Sequence, residues 1–189
     1  VVVTDFDSLV DHYRRFERRN MWEDKIVLTK DQKRQLLVRL MENMRPENIH
    51  YAYSQFNDNC ATKPRDHLDF ALGGKISEYF QNRPSRLTLR HHIKRGGDAI
   101  WWVNLGLDFL SNDMLDRPVT PWQEMFMPEN FRQYLRELPA YDDSGQPIPG
   151  RSLLEGGRLV VDLPEPKLGT SPYLWILTLL GIPVLAICV

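Results

Sequence analysis

Apolar residues recur along this chain with two different periods. Phe6, Leu9, Val10, Tyr13 and Phe16 fall at helical spacing and predict a short amphipathic helix near the start. "MWEDKIVLT" follows, in which Trp22, Ile26 and Leu28 read as a strand. Thr29 stands three residues before Gln32, the spacing of a capping box, so a helix is expected from about Lys30 to Met44. Its stripe of Leu36, Leu37, Leu40, Met41 and Met44 is expected to face a core, and Pro46 marks its end. "NIHYAYSQF" alternates and reads as extended chain.

A second helix is predicted to begin between Cys60 and Lys63. Pro64, which lacks an N–H, suits a first helical turn, and Gly73-Gly74 supplies a stop after Leu68, Phe70, Ala71 and Leu72. The middle of the chain is poorly periodic, and Trp101, Trp102, Leu105, Leu107, Phe109 and Leu110 are expected to bury. "DRPVTPWQEMFMPENF" reads as a proline-punctuated loop, and "PENFRQYLREL" as a helix with Phe131, Tyr134, Leu135 and Leu138 on one side. "RSLLEGGRLVVDL" reads as a hairpin turning at Gly156-Gly157. The pattern is that of an α+β domain.

The last stretch obeys neither period. From Tyr173 to Val189 there are 17 residues without a charge, about 26 Å of helix, at the lower limit for a bilayer span. Tyr173 and Trp175 sit at interfacial depth, so a transmembrane helix is expected over 172–189. The predicted organisation is a soluble domain over 1–138, a loop, short hairpin and linker over 139–171, and the span. The chain opens on "VVVTDF", without Met, so the soluble domain is expected to be incomplete at its N-terminus.

Composition narrows the function. With a net charge of −1 the chain has no basic footprint for nucleic acid, and that class of partner is set aside. Of its two cysteines, Cys188 lies in the expected span, which leaves Cys60 as a lone thiol in the soluble part. At a helix N-terminus a thiol meets partial positive charge, with Lys63 and Arg65 close by. The free N–H groups of that terminus offer an oxyanion hole. This is the plan of a cysteine nucleophile; the competing reading is a small structural cysteine. A nucleophile also needs a base. His67 lies seven residues along the same helix, roughly 10 Å away, too far for direct transfer. His91 and His92 remain as candidates, against the alternative that "RHHIKR" is a solvated polar face. Asn59 is read as a helix cap or as the group that orients the site. No metal-ligand spacing is present, and no cofactor is expected.

"YAYSQFNDNCATKPRDHLD" resembles the signature of the Lnb N-terminal periplasmic domain family, associated with bacterial lipoprotein N-acyltransferase. "DHYRRFERRNMWEDKIVLT", "RLTLR" and "DRPVTPWQEMFMP" agree in order, so the resemblance runs over residues 5 to 135. It implies a papain-like (thiol-protease-like) domain facing the periplasm at the inner membrane. It also implies that Asn59-Cys60 carries the nucleophile, which takes an acyl group from a membrane lipid or lipoprotein as a thioester and passes it to an amine. The family's histidine is expected in a Gly-His motif upstream of the cysteine; this chain has none, and Pro64 stands where an aliphatic residue is expected. The alternative is a non-catalytic subunit that uses the fold as a scaffold in a larger membrane complex.

Overall fold

The computed structural model describes residues 4–85, 87–97 and 113–164. Asp5 caps the first helix, α1 (Phe6–His12), by accepting a hydrogen bond from Ser8 N at 2.8 Å, and a π-helical turn, Tyr13–Glu17, continues it. Strand β1 (Met21–Ile26) leads to α2 (Lys30–Asn43). Both halves of the predicted capping box form there: Thr29 Oγ1 accepts from Gln32 N, and Gln32 Oε1 accepts from Thr29 N. After α2 the chain takes no regular strand through "NIHYAYSQF"; a bridge between Ser54 and Asp58 closes a tight turn instead. Helices α3 (Thr62–Ala71) and α4 (Lys75–Phe80) follow, separated by Gly73 and Gly74. Both glycines have positive φ (65° and 83°), the conformation that makes this pair a stop.

The chain divides into two units. The first comprises 1–85 with 119–163, the second 86–118 with 164–189. In the second, α5 (Leu89–Gly97) and a 3₁₀ turn (Asp113–Leu115) are joined by a Thr88–Pro118 bridge and by Arg90, which grips Asp116 through Nε at 2.5 Å and Nη2 at 2.8 Å. The first unit resumes with α6 (Pro121–Glu124) and α7 (Pro128–Glu137), then β2 (Pro139–Tyr141), β3 (Pro147–Ser152) and β4 (Leu154–Val161). The expected loop before α7 therefore holds a helical turn. Thr120 and Gln123 form a second capping box at its start, with the same three-residue spacing as Thr29 and Gln32.

Two small antiparallel sheets result, β1 with β4 and β2 with β3, and the fold is α+β. The hairpin is not the one expected over "RSLLEGGRLVVDL": β2 and β3 form it, turning through 142–146 and not at Gly156-Gly157. Those two glycines sit inside β4, where they let the strand bend around the Asp24 carboxylate. Arg132 Nε and Arg136 Nη2 reach Asp24 at 2.5 and 2.9 Å, which holds the carboxyl below its usual range. A Cβ on Gly157 (φ +126°) would stand 2.5 Å from Arg136 Nη2 and 3.1 Å from Asp24 Oδ1. Gly157→Ala is expected to cost about 1–3 kcal/mol, from the φ and the displaced ion pair together; urea denaturation of the variant against the parent measures it.

The core of the first unit lies between α3, α4, α7 and the ribbon. Ile76 and Phe80, one turn apart on α4, are fully buried with Met125, Leu138 and Leu153. Leu153, the single residue between β3 and β4, ties the ribbon inward: its N–H donates to Leu138 O and its carbonyl accepts from Val27 N, both at 2.8 Å. The apolar stripe of α2 does not face the core. Gln32 is buried, with Nε2 donating to Tyr141 O at 3.1 Å and Asp142 O at 3.2 Å, and Leu36 and Asn43 are half-buried. Leu37, Met41 and Met44 are 57%, 62% and 67% exposed. Polar ties at its N-terminus have turned the helix so that its polar-to-apolar seam meets α3.

Among the described residues no helix is long and apolar enough to cross a membrane. The expected span over 172–189 and the tryptophan-rich stretch over 101–110 lie outside the described residues.

Candidate functional site

The α3 N-terminus is built on Asn59. Its Oδ1 accepts from Ala61 N at 2.8 Å and Thr62 N at 2.9 Å, and its backbone carbonyl accepts from Lys63 N at 3.1 Å. Its Nδ2 donates to Gln55 O at 2.8 Å and Phe126 O at 2.9 Å. Asn59 is buried, and both oxygen lone pairs and both amide protons of its side chain are engaged. Of its two expected roles, cap and orienting group, it fills the first. The cap has a chemical consequence. The N–H groups of Ala61, Thr62 and Lys63, expected to form an oxyanion hole, already have acceptors.

Cys60 follows Asn59 in the turn that leads into α3, two residues before its first residue Thr62, exposed and without a disulfide. The cations expected to activate it are committed elsewhere. Lys63 Nζ pairs with Asp58 at 2.9 Å and lies 4.4 Å from the centre of the Tyr51 ring. Arg65 is buried: Nη2 meets Asp66 at 2.7 Å, Nη1 donates to Trp122 O at 2.8 Å, and its guanidinium stacks 3.9 Å over the Trp122 ring. Arg65 thus fastens α3 to α6.

Cys60 is one of the residues lining an apolar cleft of about 430 Å³ between α2 and α3. Leu36 and Leu40 line it from α2, Pro64 and Leu68 from α3 with Cys60 just before that helix, and Ile26 and Phe131 from β1 and α7. Pro64 keeps the entrance turn free of an N–H donor and contributes ring carbon to the wall. The volume is within the range of small-molecule sites, and the lining is almost wholly carbon apart from Asn43, Lys63 and His67.

His67 shares this cleft with Cys60. Cys60 lines it from the turn before α3 and His67 from the second turn of the helix. The imidazole is 8% exposed, and its Nδ1 has no hydrogen-bond partner among the described residues. Burial, then the charges of Arg39 and Lys63, push its pKa below the ordinary 6.5, opposed only by Asp66. The ring is therefore neutral in the fold at neutral pH, while the unfolded chain takes up a proton as pH drops through 6.5. Stability should hold above that value and decline as pH falls from it toward the folded pKa. Urea midpoints read between about pH 7.5 and about pH 5 should show the decline, and His67→Gln should flatten it. The aspartates with depressed values, Asp24 among them, lose their contributions only at lower pH, below 3.8.

His91 and His92 lie on α5, in the second unit, whereas Asn59 and Cys60 lie in the first. The expectation of a solvated polar face holds for His91, which is exposed; His92 is 2% exposed. What the sequence did not disclose is the cleft, whose lining His67 shares with Cys60.

The family model of the Lnb N-terminal periplasmic domain matches residues 1–95 of this chain of 189. The chain belongs to this family. The Lnb match takes in α1 to α4, Asn59, Cys60, His67 and both candidate histidines of α5. It places the domain in a periplasm-facing family of bacterial membrane proteins. It ends before the "DRPVTPWQEMFMP" stretch, so the Phe126 carbonyl that anchors Asn59 and the Phe131 wall of the cleft come from outside the matched region. The chain matches no curated protein and no solved structure.

Proposed function

We propose that this Lnb domain handles fatty acyl groups, with the cleft between α2 and α3 holding the chain and Cys60 forming a thioester with its carboxyl carbon. The observation that carries the reading is an exposed free thiol in the lining of an apolar cleft. On this thiol-protease-like plan the Cys60 thiolate attacks the ester carbonyl of a membrane lipid or diacyl lipoprotein. The C–S bond forms, the ester C–O bond breaks, and the thiol proton leaves with the lipid alcohol. An amine, such as a lipoprotein N-terminus, then attacks the thioester; the C–N bond forms, the C–S bond breaks, and the amine proton returns to sulfur. Ester and amine become alcohol and amide, with no oxidant and no metal required. The apolar run from Tyr173 to Val189 serves in this reading as an inner-membrane anchor that keeps the domain beside its substrates.

A second reading is favoured by one observation: the helix-terminal amides, Lys63 and Arg65 are all engaged within the fold. Under it the cleft binds acyl chains or partner subunits without reacting, as part of a larger membrane complex. Thioester capture separates the two. The full chain carrying Cys188→Ser, placed in vesicles with an alkyne-tagged phospholipid, is expected to acquire a hydroxylamine-labile label, and Cys60→Ala should abolish it. An unlabelled parent, or a label that survives Cys60→Ala, rules out the acyl-enzyme and leaves the binding reading.

A further inference from the structure

The face of α2 turned away from α3 carries Leu37, Val38, Met41 and Met44, each more than half exposed. Leu37, Met41 and Met44 recur at i, i+4 and i+7, so they form one continuous apolar strip. The chain beyond the helix adds Ile49, Tyr51 and Tyr53, at 47%, 47% and 66% exposure. Monomeric proteins seldom leave so many large apolar side chains together in water, and such a patch marks an interaction surface.

Three features identify what covers it. First, the strip is basic at its margin. From Lys30 to Arg45 the helix holds five basic residues against two acidic ones. Arg34 and Arg45 share their charge with Asp31 (3.3 Å) and Glu42 (3.0 Å), while Lys30 and Lys33 have no ion pair among the described residues. An apolar strip edged by lysine and arginine is the pattern of a helix lying in the headgroup layer of an anionic membrane. Second, the exposed tyrosines suit the same layer, with the ring in the acyl boundary and the hydroxyl in water. Third, the strip runs into the cleft. Leu40, on the flank of the strip, lines the cleft wall, and Tyr51 sits under Lys63, which lines the opening beside Cys60.

We propose that α2 and the segment Ile49–Tyr53 dock on an anionic lipid bilayer, with the mouth of the cleft at the lipid surface. An acyl chain then passes from the bilayer along Leu40 to Cys60 without crossing water, a route that rests on the acyl-handling function above.

Position-specific quenching tests the docking in the full chain, where an anchor elsewhere would mask any simple binding assay. A bimane label at Met41→Cys, in a Cys60→Ser, Cys188→Ser background, is read in vesicles containing nitroxide-labelled lipid. Severalfold quenching is expected in phosphatidylglycerol-rich vesicles, weaker quenching in phosphatidylcholine alone, and none after Leu37→Glu with Met44→Glu. These exposed side chains support no core, and a thermal melt checks that the doubly substituted chain folds. A label that stays in water in anionic vesicles overturns the docking. So does one shielded without nitroxide quenching, which would mean that protein covers the face. Cys60 acylated from a detergent-solubilised donor while position 41 stays unquenched removes the docking and spares the acyl-handling function. Quenching at 41 with Cys60 never acylated supports the docking and removes only the acyl route.

Discussion

Asn59→Ala is expected to destabilise the first unit by about 3–5 kcal/mol, the largest stability effect of any single change near the site. Loss of the cap on Ala61 N and Thr62 N removes about 1 kcal/mol on its own. The rest comes from the other side of the amide. Gln55 O and Phe126 O lose their Asn59 donor beside a buried residue, at roughly 1–2 kcal/mol each. Asn59→Ser separates the two contributions, since a serine hydroxyl can accept from the helix-terminal amides but cannot replace the donors to Gln55 O and Phe126 O. It should recover the cap and no more, giving an intermediate urea midpoint. A loss below about 1 kcal/mol for Asn59→Ala would mean that the ties to Gln55 and Phe126 contribute nothing. Because Cys60 directly follows this residue, the cap also fixes where the thiol points, and a variant that folds should show altered thiol reactivity toward a small alkylating agent.

Local chemistry in the sequence was enough to place α2 and α3. A capping box needs only Thr29 and Gln32, a helix stop only Gly73 and Gly74, and each signal acts within a turn of itself. The same rule applied to Thr120 and Gln123 would have found α6 inside what was read as loop. The face that α2 buries was not legible. That choice is made by Gln32 bonding to the carbonyls of Tyr141 and Asp142, more than a hundred residues away, and no periodicity of α2 encodes it. Gly156-Gly157 misled for a related reason. Two glycines fit a turn, but they also fit a strand that must pass close to the Arg132, Arg136 and Asp24 side chains. The cleft was hidden because its walls come from β1, α2, α3 and α7, and its character depends on Ile26 and Phe131 arriving together. The residues flagged for chemistry, Asn59, Cys60, His91 and His92, were picked by residue type, place in the chain and family resemblance. Their surroundings, which decide what a thiol there can do, are tertiary.

Those surroundings make the length of the acyl chain the most discriminating variable. Leu36→Trp places an indole into the wall of the cleft, at a half-buried position where the larger ring can project into open volume. If a fatty chain lies in the cleft, the ring displaces it. Expelling about four methylenes forfeits ~3 kcal/mol, at roughly 0.8 kcal/mol each, so acylation of Cys60 by a long-chain donor should fall about a hundredfold. A donor too short to reach Leu36 should react as before, because the thiol and the Asn59 cap are untouched. The measurement is the ratio of labelling rates for a long and a short acyl donor, parent against variant, with a thermal melt to confirm that the fold is kept. Equal losses for both donors would mean that the indole disturbs Cys60 itself. No loss for either would place the chain outside this cleft, and with it would go the reason for an apolar wall beside a thiol.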